Sequence, residues 1–180
     1  MSRAVTKSTR RTTTLAFEEV SVGDTLPEFE IPLTRTLIVS TAIASRDYQD
    51  VHHDPSLAVE RGSQDIFMNI LSTNGLVGRY VTDWTGPGGV LTDVDIRLGA
   101  PNYPGDSMTL TGVVTGVEEP TGGSEGTEGY GTVEIAVQGA NSLGDHVSGT
   151  VRLRLPAASS AAGAATAVAE PPGPDDRRSR

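Results

Sequence analysis

Asp47 and His52 stand five positions apart in the polar stretch Arg46-Asp47-Tyr48-Gln49-Asp50-Val51-His52-His53-Asp54-Pro55. A carboxylate and an imidazole together can take a proton from a water and return one to a substrate near neutral pH. Two of the three histidines of the chain lie here. Proton-transfer chemistry, if the chain does any, is expected at this stretch. Asp50, His52, His53 and Asp54 also carry the donor types of a zinc or manganese site. No other histidine lies near in sequence, which leaves the metal reading the weaker one. His53 reads as a loop-facing residue, and His146 as an ordinary, partly buried side chain at the start of a strand. Asp54 is explained as a helix cap.

The pair must be positioned by what flanks it. Ser40 can cap a helix running through Asp47. Pro55 to Arg61 reads as a short helix, with Asp54 as cap, Pro55 at its first position and Gly62 at its end. A longer helix is expected from about Asp65 to Asp83, because Ile66, Phe67, Ile70, Leu71, Val77, Tyr80 and Val81 recur mostly at spacings of three and four. Ser72, Gly75 and Gly78 thin one of its faces, which suggests a backbone packed closely there. Tyr48 and Trp84 are expected to pack. Phe17 to Leu37 reads as extended chain or loop with a turn at Val22-Gly23-Asp24. Four alternating segments then follow: Val90–Leu98, Met108–Val117, Gly131–Gln138 and His146–Leu155. Thr121–Gly129 is Gly-rich and acidic and reads as a loose hairpin tip. One long helix followed by antiparallel strands is an α+β pattern, with the sheet wrapped around the helix.

The chain has 180 residues, a single-domain length. Residues 1–14 are Ser, Thr, Lys and Arg with little to bury, and residues 156–180 are a low-complexity Ala, Pro, Gly and Ser tail; both are expected to be disordered, leaving a domain over 15–155. There is no cysteine, which excludes disulfides, thiolate catalysis and Cys-ligated zinc. The formal net charge is -9, which disfavours a nucleic-acid partner. No apolar run is long enough to span a membrane and no secretory h-region opens the chain. A cytoplasmic protein is expected.

The same residues carry a family resemblance. Asp47, His52 and Ala58 match the Asp-x-Asn-Pro-(Ile/Leu)-His motif, with its later Ala, of the MaoC-like (R)-specific enoyl-CoA hydratases. Phe17-Glu18-Glu19-Val20-Ser21-Val22-Gly23-Asp24 resembles the usual opening of that family, and Tyr103-Pro104-Gly105-Asp106 its Gly-Asp turn. Two departures stand out. Gln49-Asp50 replaces Asn-Pro, and Met68-Asn69-Ile70 replaces the Ala-His-Gly at the start of the central helix. The stretch Val39–Asp54, with Asp65–Leu71, Arg79–Trp84 and Asn141–Val147, looks similar to one group within the family. These are the small subunits of heteromeric hydratases acting on steroid side-chain CoA esters in actinobacterial cholesterol breakdown.

The resemblance implies a hotdog fold and hydration of an α,β-unsaturated CoA thioester. It implies Asp47 and His52 as the catalytic pair sharing one water. Gln49, Asn69 and Ile70 would position that water or stabilise the thioester oxyanion, the last through backbone N–H groups at a helix start. It further implies no metal and no cofactor beyond the CoA of the substrate. The partner would be a larger MaoC-like subunit in an assembly of α2β2 type, with the active motif on the small subunit. The rivals are a non-catalytic hotdog scaffold and a hotdog thioesterase. The latter needs an acidic residue on the central helix, where only Asp65 is on offer.

Overall fold

The computed structural model describes residues 10–120 and 129–158. Most of the expected hairpin tip and tail, and residues 1–9, lie outside these. Five strands form one antiparallel sheet: β1 (Thr25–Pro32), β2 (Val90–Leu98), β3 (Ser107–Glu118), β4 (Tyr130–Asn141) and β5 (Gly144–Pro156), in the order β1-β3-β4-β5-β2. Three helices accompany it: α1 (Arg35–Ala44), α2 (Pro55–Glu60) and α3 (Ile70–Thr85). Short 3-10 turns span Phe17–Glu19 and Asp50–His52. This is the expected hotdog.

Alternation explains the sheet. Along β4 the side of Val133, Ile135 and Val137 is buried, while Glu134 and Ala136 are half-buried on the opposite face. Met108, Leu110 and Val114 of β3 and Val147, Val151, Leu153 and Leu155 of β5 continue that layer. Against it lies the buried face of α3, built from Leu76, Val77, Tyr80 and Val81. Gly131 leaves room for the ring of Phe17, since a Cβ there would fall inside it.

Two helices differ from their sequence reading. The first begins at Arg35, capped by Thr34, whose Oγ1 accepts the Leu37 N–H at 3.0 Å. Ser40 lies inside this helix and does not cap it. The helix stops at Ala44, because Arg46 turns left-handed at φ 59°. The central helix begins at Ile70, not Asp65. Residues 66–69 run extended instead, with the Phe67 N–H donating to Val51 and the Met68 N–H to Asn102. Helical spacing was misleading there because Ile66 and Met68 are buried by loop packing, while Ile70 and Leu71 stay about half exposed at 47% and 48%.

Asp65, outside the helix, is gripped by both Arg35 guanidinium nitrogens at 3.0 and 2.7 Å. The hint of close packing at the small residues holds in part. A Cβ on Gly78 would touch Leu91, whereas Gly75 faces open space. Residues 10–14, read as disordered, lie along the end of α3. The Arg11 N–H donates to the Asp83 carbonyl at 2.9 Å, and the Gly88 N–H to the Thr14 hydroxyl at 2.9 Å.

Candidate active site

Asp47 is placed by how α1 ends. The Asp47 N–H returns to the Ala42 carbonyl at 2.9 Å and the Arg46 N–H to Ile43 at 3.0 Å. This is a Schellman closure with arginine at the left-handed position where glycine is usual. It swings the Asp47 side chain toward the start of α3. There the Asn69 Nδ2 donates to Asp47 Oδ2 at 2.9 Å, and the Gln49 backbone N–H to Oδ1 at 3.3 Å. The Asn69 donor holds the Asp47 carboxyl below its usual value against the opposing effect of burial, with help from Gln49 and His52.

His52 closes the adjoining 3-10 turn and is buried. Its Nδ1 lies 2.7 Å from the Phe67 carbonyl. A carbonyl only accepts, so Nδ1 carries a proton, and in its neutral form the ring presents a lone pair at Nε2. That lone pair faces Asp47 Oδ2 at 3.4 Å. Two acceptors cannot bond each other. A water donating one O–H to each would satisfy both, an arrangement suited to proton transfer. The Phe67 ring meets the imidazole edge-on at 5.0 Å.

The Asn69 side chain is taken up by contacts within the chain. Its amide N–H bonds to Asp47 and Ser45, and its Oδ1 caps α3 by accepting from Ser72 N–H and hydroxyl. No free polar atom of its side chain is left to face a substrate oxyanion. The N–H groups of Ile70 and Leu71, at the first two helical positions, have no intrahelical acceptor. They remain as donors at the positive end of α3. Gln49 is exposed and reaches Asp47 through its backbone, not its amide.

Of the remaining sequence candidates, His53 is exposed and bonds the Tyr48 carbonyl, while Asp54 caps α2 by accepting from Ser56 and Leu57. Tyr48, expected to pack, is 68% exposed. Trp84 is partly buried against the core. Among the described residues no three His, Asp or Glu side chains converge on one point. The Phe67 carbonyl and Ser45 carry no sequence signal, since both act through backbone or cap geometry.

A helix-wrapping sheet with an Asp–His pair at the helix start defines the hotdog class of hydratases. No family model matches the chain. It is 48% identical over 134 residues, 74% of its length and 95% of the relative's, to the 3-oxo-4,17-pregnadiene-20-carboxyl-CoA hydratase beta subunit of Mycobacterium tuberculosis. The chain belongs to the MaoC-like hydratase family, in the group of that beta subunit. A chain in the crystal structure of the ChsH1-ChsH2 complex of that organism is 47% identical, with a TM-score of 0.65 over 75% of this chain and 98% of that one. The unliganded R-hydratase PhaJ1 of Pseudomonas aeruginosa, 19% identical, shares the fold at a TM-score of 0.68 over 80% of this chain and 87% of that one.

Proposed function

We propose that this chain is the catalytic subunit of an enoyl-CoA hydratase acting on a steroid side-chain thioester. The observation that carries the reading is the pair of acceptors, Asp47 Oδ2 and His52 Nε2, held 3.4 Å apart beside the open N-terminus of α3. Asp47 and His52 share a water. His52 Nε2 takes its proton as the oxygen attacks Cβ, and Asp47 keeps the water oriented. The electron pair moves through Cα to the thioester oxygen, where the N–H groups of Ile70 and Leu71 meet the growing charge. His52 then returns the proton to Cα. No group besides the chain, the water and the enoyl thioester is needed for this balance.

Water oxygen and returned proton come from one face in this scheme, which supports a syn addition. The configuration at Cβ depends on which face of the enoyl group meets the pair, and the likeness to the R-hydratase PhaJ1 is what favours an (R)-3-hydroxyacyl product. The named relative is a beta subunit, and its crystal structure is of a complex. We infer a like heteromeric assembly with a larger hotdog-bearing subunit. Ile43, Tyr48, Ile70 and Leu71, on α1, the site loop and the first turn of α3, are exposed and suit an apolar acyl group or that partner.

The thioesterase alternative lacks its acid: α3 holds Asp83 alone, near its far end and bonded to Arg79. Hydration of a steroid side-chain enoyl-CoA by the reconstituted complex, followed through loss of the conjugated thioester absorbance, tests the proposal. Asp47→Asn and His52→Ala are each expected to lower turnover roughly 10²–10⁴-fold with assembly intact. Unchanged turnover in both would move the active site to the partner and make this chain a scaffold. Release of free CoA would make it a thioesterase.

A further inference from the structure

The three residues Phe67, Met68 and Asn69 hold both halves of the catalytic pair. The Phe67 carbonyl orients His52, and the Asn69 amide orients Asp47. What holds these three residues is therefore of interest, and a buried histidine with no role in the chemistry stands behind them. His146 of β5 is 1% exposed. Its Nδ1 lies 2.6 Å from the Ala100 carbonyl and its Nε2 2.9 Å from the Thr73 hydroxyl. The carbonyl fixes Nδ1 as the protonated nitrogen, so Nε2 accepts and Thr73 donates. Burial pushes this imidazole below its ordinary value, outweighing the Ala100 bond, which keeps it neutral.

Both legs of His146 end on neighbours of the Phe67–Asn69 stretch. Thr73 lies in the first turn of α3, and its N–H bonds the Asn69 carbonyl at 3.3 Å. Ala100 belongs to the loop whose Asn102 carbonyl accepts the Met68 N–H at 3.1 Å. Asn102 is itself fully buried and fixed by the Asn141 amide at 2.9 Å.

We propose that His146 is a positioning residue of the active site. It braces the first turn of α3 through Thr73 and the 99–106 loop through Ala100, and so fixes the Phe67–Asn69 segment that aims Asp47 and His52. The reading of the site as a hydratase enters only through the kinetic arm of the test.

Thr73→Val, His146→Leu and His146→Gln are compared in the complex with the partner subunit. Thr73→Val removes the hydroxyl and keeps the branched shape, so folding is retained. In it, kcat is expected to fall roughly 10- to 100-fold, as small misplacements at a reacting centre do, with KM changed less than two-fold. His146→Leu should fall at least as far. His146→Gln, which keeps an acceptor for Thr73, should recover part of the loss.

The second readout needs no turnover. It is the titration of the Asp47 carboxyl, followed by carbon-13 NMR. The titratable group facing Asp47 is His52, and Asn69 faces it with a neutral donor. A loosened Asn69 should move the Asp47 titration to higher pH in Thr73→Val. A complex that hydrates nothing but shows this shift would sink the hydratase reading and support the brace. Wild-type kcat in Thr73→Val, or an Asp47 titration that does not move, would overturn the brace. A loss of thermal stability with both readouts unmoved would leave His146 a packing residue, and that also overturns it.

Discussion

Asn69 does two things at once, and a substitution can separate them. Its Oδ1 caps α3 and its amide N–H supports Asp47. Asn69→Ser keeps a good cap but withdraws the amide donor from Asp47 Oδ2. Thermal stability is expected to change little, while turnover falls at least ten-fold, the cost of one lost charge-assisted hydrogen bond at about 1.5–3 kcal/mol. Asn69→Ala loses both functions and adds about 1 kcal/mol of lost cap, measurable by denaturant unfolding. The sequence singled out Asp47 and His52 by their types together with the family resemblance of the residues around them, and the structure brings the two side chains to 3.4 Å. The sequence could not assign Asn69, because cap and clamp depend on where a helix begins, and the start of α3 was placed five residues early.

At the scale of elements, the strands were the readable part. Period-two alternation survives in β3, β4 and β5 because each buries one face against α3. Helix ends were less readable. Ser40 and Thr34 are equally good caps in isolation, and only the packing of Leu33 and Ile38 selects the earlier one. The end of α1 offers a direct experiment. Arg46 occupies a left-handed conformation that costs a side-chain-bearing residue roughly 1–2 kcal/mol. Arg46→Gly is expected to raise stability by up to about 1 kcal/mol, read from denaturant midpoints, with the closure that aims Asp47 retained. Gly131→Ala should do the opposite. Its Cβ would enter the Phe17 ring, and overpacking of this kind costs typically 1–3 kcal/mol.

Across the whole molecule, titrating groups make stability depend on pH in two windows. His146 has a folded value below its ordinary one because it is buried. The unfolded chain then binds the extra proton first, so stability should start to fall as pH drops below about 6.5. Unfolding free energies at pH 7 and pH 5.5 check this, and His146→Gln should flatten the difference. The second window is lower. Asp47 and Asp65 are held below their usual values by Asn69 and Arg35 respectively. Burial alone would raise Asp106, but bonds from Ser142 and the Ser107 N–H carry it below its usual value as well. These depressed carboxylates contribute stability that is complete above about pH 4 and lost as pH falls through their folded values. Composition gave none of this, since -9 of net charge says nothing about which carboxylates are held.

The stretch from Arg11 to Leu15 bonds to Asp83, Thr85 and Gly88 at the far end of α3, and the Ala158 N–H reaches Glu18 close by at 2.9 Å. Both ends of the described chain therefore leave the molecule at one pole. The Asp47–His52 pair lies by the other end of α3, about 24 Å away along its 16 residues at 1.5 Å per residue. A fluorescent label on the side chain of residue 10 or 158 would stand behind the candidate site and leave its mouth clear.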